Sequence, residues 1–178
     1  MSIVNTFSLQ SNRQIKINFD GGDLSSDAGL LLIKEFAAKI GFTKLIEKKF
    51  KTNDKSVRFH KDYENLLQMI YQVISAYFQD DCADELTLDP VFNVILDKEN
   101  LASQPTLSRF FNRMDEDTLI QFDDIDKNLR DTIYSIKRPE HVLLDLDSTL
   151  FGTYGRQEGE GFNFHYQAHG IHYYAMTD

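Results

Sequence analysis

The hydrophobic period of this chain changes once, at a defined place. Ahead of Lys137-Arg138-Pro139 apolar residues recur three and four apart; after it they alternate or run together. The first period buries a stripe of a helix and the second a face of a strand, and few segments satisfy both. The expected fold class is therefore α+β: a helical segment over residues 23–136, then the opening strands of a sheet over 137–178. Residues 1–22 read as an arm. Within it "RQIKINFD" alternates Ile15, Ile17 and Phe19 with polar residues, and Gly21-Gly22 ends the strand.

Local signals divide the helical segment. "LSSDAGLLLIKEFAAKIG" predicts a helix capped by Ser25 or Ser26, with Ala28, Leu31, Leu32, Phe36 and Ile40 inward and Gly41 as its stop. A short amphipathic piece follows, Thr43 to Phe50. "DYENLLQMIYQVISAYF" predicts a central helix capped by Asp62, with Leu66, Leu67, Ile70, Val73, Ile74 and Tyr77 inward. Asp89-Pro90 and Ser103 with Pro105 each open another helix, the second burying Leu107, Phe110 and Phe111. A long last helix spans "DEDTLIQFDDIDKNLRDTIYSI", acidic on its outer face. Beyond the break, "HVLLDLD" reads as a strand that delivers two acids at its carboxyl end. Glycines 152, 155, 159 and 161 make a turn-rich loop, and "FNFHYQA" and "IHYYAM" read as strands separated by Gly170.

The hydrophobic share of 42% and aromatic share of 12% are those of a folded protein. A single cysteine, Cys82, excludes an intramolecular disulfide and fits a reducing cytosol. The start has no signal-peptide core, and no apolar run reaches the roughly 18 residues of a membrane span. A cytoplasmic protein is expected. The net charge of -9 argues against nonspecific attraction to nucleic acid. Lys44 to Lys61 is the exception, with seven Lys or Arg against Glu47 and Asp54. Such an island is either a phosphate-contacting patch or a solvated loop.

Asp145 and Asp147 share one face of a strand and lie about 7 Å apart along it. They are suited to hold a hard divalent cation, or to divide nucleophile and acid/base roles; a strand surfacing into a polar turn is the plainer alternative. "DLDST" looks like the first motif of the haloacid-dehalogenase phosphatases, in which Asp145 would be the nucleophile. That family needs a downstream lysine and a further acidic pair, and the 29 residues after Thr149 contain no lysine.

A broader resemblance spans almost the whole chain. "GGDLSSDAGLLLIKEF", "LASQPTLSRFFNRMD" and "LLDLDSTLFGTYGRQEGEGFNFHYQAHGIHYY", in that order, resemble the DDE-type insertion-sequence transposases of the DDE domain group 1 class. The resemblance implies an RNase H-like mixed sheet, three acids holding two Mg²⁺ or Mn²⁺ ions, and DNA cleavage and strand transfer at terminal inverted repeats of double-stranded DNA. Carried over by motif, Asp147 is the first acid of that triad and Asp145 its neighbour. The other two acids are expected beyond the equivalent of Asp178, which itself lies too close to Asp147 to serve. The chain is thus expected to be an amino-terminal portion, inactive in cleavage by itself and nucleoid-associated when bound to DNA. A noncatalytic DNA-binding fragment, self-paired as a homodimer or paired with a full-length transposase, is the alternative, and an open strand edge favours self-association.

For DNA contact, the helix from Ser103 offers Gln104, Thr106, Arg109 and Arg113 at positions that suit a recognition helix, behind a helix-turn-helix-like layout with a long turn. Lys48, Lys49, Lys51, Lys55 and Arg58 are expected to touch phosphates, and Arg156, with Gln157, to contact DNA from the glycine loop. A capped bundle helix and a plain hairpin loop are the bland readings of these segments. His165, His169 and His172 tempt a zinc assignment, but about 13 Å separates the first two on an extended strand. His165 is better placed to approach a phosphate.

Overall fold

A computed structural model describes residues 6–19, 26–79, 81–143 and 145–177, the backbone alone over 145–148 and 172–177. The chain divides into two compact units, Met1–Ile136 and Lys137–Asp178.

The first unit begins with an antiparallel pair, β1 (Thr6–Ser8) and β2 (Lys16–Asn18). Among the described residues seven helices follow: α1 (Leu30–Lys39), α2 (Phe42–Lys49), α3 (Asp62–Ile74), α4 (Cys82–Leu86), α5 (Pro90–Leu96), α6 (Gln104–Phe111) and α7 (Glu116–Ile136). Two large apolar clusters and a small third one, of Ala83, Ala102 and Leu107, make the core among the described residues. One large cluster gathers Leu9, Leu30, Leu31, Tyr71, Phe92 and Ile95, and the other Ile46, Phe50, Leu66, Leu67, Phe110 and Ile125. Only α3 supplies buried side chains to both, which is why a helix apolar over a wide arc sits at the centre.

Several local expectations are corrected. α1 starts at Leu30, with Gly29 as its N-cap, rather than at a serine; the Ser26 hydroxyl donates to Asp27, and Ser25, like Gly21-Gly22, lies outside the described residues. Its buried face is Leu30, Leu31, Glu35 and Ala37, while Leu32 and Phe36 are exposed. The rotation follows from Glu35, whose carboxylate accepts the Ser11 N–H at 3.0 Å and its hydroxyl at 2.6 Å. That pair fixes the turn after β1 over the helix, with these hydrogen bonds offsetting the burial of a charge.

In α3 the N-cap is Lys61, not Asp62, and Glu64 reaches back to accept the Lys61 N–H at 2.9 Å. Val73 and Ile74 are exposed, and Tyr71 and Gln68 are buried in their stead. The Gln68 carboxamide pays for its burial with paired 2.8 Å bonds to the N–H and carbonyl of Ala102. Asp89 caps α5 as expected, accepting the Val91 N–H at 2.7 Å. On α6 Phe110 is sealed, whereas Phe111, one residue and about 100° further round the helix, is 60% exposed. α6 packs chiefly on α3 and α4 rather than on α5.

Among the described residues the second unit is a three-stranded sheet of β3 (Asp145–Gly152), β4 (Gly161–Asn163) and β5 (Ala168–Thr177), in the order β3-β5-β4. Both pairings are antiparallel, so no parallel strand of a mixed sheet occurs among the described residues. His141–Leu143 belong to no strand, and Leu144 lies outside the described residues. The two aspartates therefore open the described strand instead of closing it. "FNFHYQA" is not one strand either. The Asn163 carboxamide accepts the N–H groups of His165 (2.7 Å) and Tyr166 (3.0 Å), turning the chain after three residues. Gly170 lies inside β5, opposite both Gly152 and Gly161. A side chain there would place its Cβ 2.4 Å from the Phe151 carbonyl oxygen, so close approach of strands, not a turn, requires this glycine.

Candidate functional site

On β3, Asp145 stands opposite Thr177 and Asp147 opposite Ala175, two residues apart and so of one parity along the strand. Carboxylate oxygens are hard donors that suit Mg²⁺ or Mn²⁺. Among the described residues no group of three or more His, Cys, Asp or Glu is placed to hold a metal ion. His165 lies in the β4–β5 turn and His169 opposite Phe162, with the two rings 5.2 Å apart. The loop beyond β3 is closed by the Thr153 hydroxyl, which donates to Glu160 at 2.7 Å and leaves Arg156 and Gln157 exposed at its tip.

The basic island forms its own site in the helical unit. Its first part is pinned. Lys51 exchanges backbone bonds with the Gln121 carboxamide (2.9 and 3.1 Å), and Asp62 accepts the N–H and hydroxyl of Thr52 (3.1 and 2.6 Å). The segment then turns tightly around Asp54, whose carboxylate accepts the N–H and hydroxyl of Ser56 and pairs with Arg58. The Ser56 bonds, aided by Arg58, hold Asp54 down to about 2. Downstream, Nδ1 of His60 lies 3.0 Å from Nζ of Lys98, which pairs with Glu64 at 2.6 Å. Burial and then the Lys98 charge push the His60 pKa below its ordinary value, which favours the neutral ring. Facing an ammonium, Nδ1 is the acceptor, and the ring proton is on Nε2.

This turn faces α6. Asp54, Arg58, Phe59, His60, Thr106, Arg109 and Arg113 line one cleft of about 530 Å³. Two stretches that sequence reasoning chose separately, the basic island and the helix from Ser103, thus meet at one place. The basic residues are not equivalent there. Arg113 is committed inward: it pairs with Asp62 at 2.9 Å, donates to the Arg109 carbonyl at 3.0 Å and lies over the Phe110 ring. Lys49 pairs with Asp124 on α7, and Arg58 with Asp54. Arg109, Lys48, Lys51 and Lys55 are exposed and have no carboxylate partner among the described residues. Gln104 starts α6 with its N–H on Asp84 (2.9 Å), and the Thr106 hydroxyl lies 3.1 Å from that of Ser103. Phe59, His60 and Lys98 were missed from the sequence. An aromatic residue inside a basic run was the available signal for Phe59; nothing local marks Lys98, 38 residues beyond His60.

A family model described as transposase DDE domain group 1 matches residues 7–175, and the chain belongs to that family. The match runs from β1 into β5 and so takes in both units. Neither a curated protein nor a solved structure matches the chain. Membership supports a transposase function, with DNA as the general substrate and divalent metal ions as the family's general cofactor. No helix among the described residues is long and apolar enough to cross a membrane.

Proposed function

We propose that the helical unit binds double-stranded DNA at an element's terminal inverted repeats, and that the sheet unit supplies Asp147, assisted by Asp145, to a metal-dependent centre for strand cleavage and transfer. The observation that carries this reading is the family match across both units together with the single cleft that joins Arg58 to Thr106 and Arg109. Asp147 and Asp145 would hold Mg²⁺ or Mn²⁺, which lowers the charge barrier at a phosphodiester when bound. The chain's own residues contact the backbone: Arg109, Lys48, Lys51 and Lys55 meet phosphates, while Gln104 and Thr106 at the start of α6 lie closest to base edges. Arg156 adds a contact from the glycine loop. Arg113 and Lys49 act through the fold, each fixing a segment that carries a contact residue.

A gel-shift titration with inverted-repeat duplex tests the reading. Affinity should fall steeply with salt, and Arg109→Ala and Lys55→Ala should each reduce the log–log slope by about 1. Binding that stays flat from low to moderate salt overturns it. β3 pairs with β5 along one edge only among the described residues, and self-association through the other edge is the expected assembly. Sedimentation of a pure monomer at high concentration would exclude it.

A further inference from the structure

The tip of the basic turn is apolar and exposed. Val57 is fully exposed and Phe59 is 75% exposed, on either side of Arg58. Exposed apolar tips are common on loose loops, but both ends of this one are fixed, by Thr52 on Asp62 and by His60 on Lys98. The Phe59 ring is also oriented. His60 meets it edge-on with centroids 4.8 Å apart, and Nζ of Lys98 stands 5.9 Å from its centre. These contacts orient the ring, and three quarters of the residue is still exposed. Beside it in the same cleft are the Arg109 and Arg58 guanidinium groups, the Thr106 hydroxyl and the His60 ring. A volume of about 530 Å³ falls in the range of small-ligand sites.

Phosphate contact alone explains the guanidinium groups but not the ring. In regular duplex the faces of the bases are stacked on one another and the outer surface is charged, so an apolar ring has nothing to bury against. An unstacked base offers a π face of the right kind. We propose that the cleft between the Asp54–His60 turn and α6 seats one unstacked nucleotide of bound DNA, with Arg109 and Arg58 on its phosphate and Phe59 against its base. Arg58 reaches that phosphate by leaving Asp54, which remains held by Ser56. The inference rests on the DNA-binding reading above and adds a preference to it: a duplex with an unpaired nucleotide, at a frayed end or a bulge, binds better than a fully paired one.

The test uses the full chain and two duplexes of the same sequence, one fully paired and one with a single unpaired 2-aminopurine. The unpaired duplex should bind about tenfold tighter, with its fluorescence quenched on binding. Phe59→Ala and Phe59→Leu should each lose the preference and the quenching, the second because it keeps apolar bulk without a π face. Phe111→Ala, an exposed aromatic residue at the other end of α6, should keep both. Circular dichroism checks that the variants are folded, as expected for side chains this exposed. Equal affinity of the unsubstituted chain for the two duplexes overturns the inference while leaving DNA binding intact. A preference retained in Phe59→Ala, or lost as fully in Phe111→Ala, also overturns it. Failure to bind either duplex at low salt overturns the DNA-binding reading and this inference with it.

Discussion

Phe92 and Phe110 in the helical unit are sealed from solvent, while Phe151, Tyr154, Phe162 and Phe164 in the sheet unit are exposed. The helical unit closes a core to which each of α1 to α7 contributes, whereas no apolar side chain of the sheet unit is buried among the described residues. Sheets this small gain independent stability only by burying one face. The contrast separates two kinds of site. The basic cleft is built on a packed scaffold, so its groups are held by bonds such as Asp62 to Arg113. The backbone that carries the acids on β3 is placed by its ladder with β5.

Substitutions that act on one unit only are the way to break this comparison. Phe110→Ala should cost the helical unit about 3–5 kcal/mol, read as a lowered denaturation midpoint, because a sealed aromatic residue leaves a cavity among Phe50, Leu66 and Ile125. A cost below about 1 kcal/mol would mean that this core is not tightly packed. Gly170→Ala should cost about 1–3 kcal/mol by overpacking and act on the sheet, since the obstacle is the Phe151 backbone rather than a side chain that can turn away. Amide exchange should speed up along β3 and β5 and stay slow in α3; equal loss in both units would show that they unfold together.

Acid should reach the helical unit through Asp62. Burial works to raise its pKa, but the Thr52 hydroxyl and Arg113 outweigh burial, and the folded value lies below the usual 3.8. A depressed carboxylate contributes stability that is fully present above the unfolded pKa and lost as pH falls through the folded one. Denaturation midpoints should therefore drop below about pH 4, with a shallower slope in Asp62→Asn; Glu64, depressed by Lys98 and the Lys61 N–H against its own burial, adds to the remaining slope. An unchanged slope in Asp62→Asn would remove Asp62 from that account. The smallest effect is expected at Phe162, where replacement by Ala should change stability by less than about 0.5 kcal/mol, because its ring is already half in water. A larger loss would reveal packing on that face of the sheet.

Much of the fold was legible because its signals are local. Asp89-Pro90 opens α5 and Gly41, at φ 72°, ends α1, since one supplies a cap and a preset φ and the other tolerates the left-handed region. The misread faces of α1 and α3 share a cause. Leu32, Val73 and Ile74 fit a helical stripe as well as their neighbours do, and polar residues decided which stripe is buried. Glu35 on Ser11 and Gln68 on Ala102 are partnerships across 24 and 34 residues that no periodicity reveals. The candidate cleft was half legible. Its cations stand out in sequence, but which of them are paired does not: Asp124 was read as part of an acidic outer face, Asp62 as a helix cap and Asp54 as a charge within the island, and each pairs with a cation.

By itself the sequence determined the change from helices to strands after Ile136, the residue types of the cleft and the family to which the chain belongs, all of which follow from local periodicity, composition and ordered motifs. Only the tertiary structure decided that the Asp54 turn faces α6, that Arg109 stays uncommitted while Arg113 is bound inward, and that Asp145 and Asp147 open the described part of their strand. Pairing across tens of residues sets these outcomes: a charge is neutralised or left free by whichever partner the fold brings within about 4 Å, and strand ends are set by register with β5.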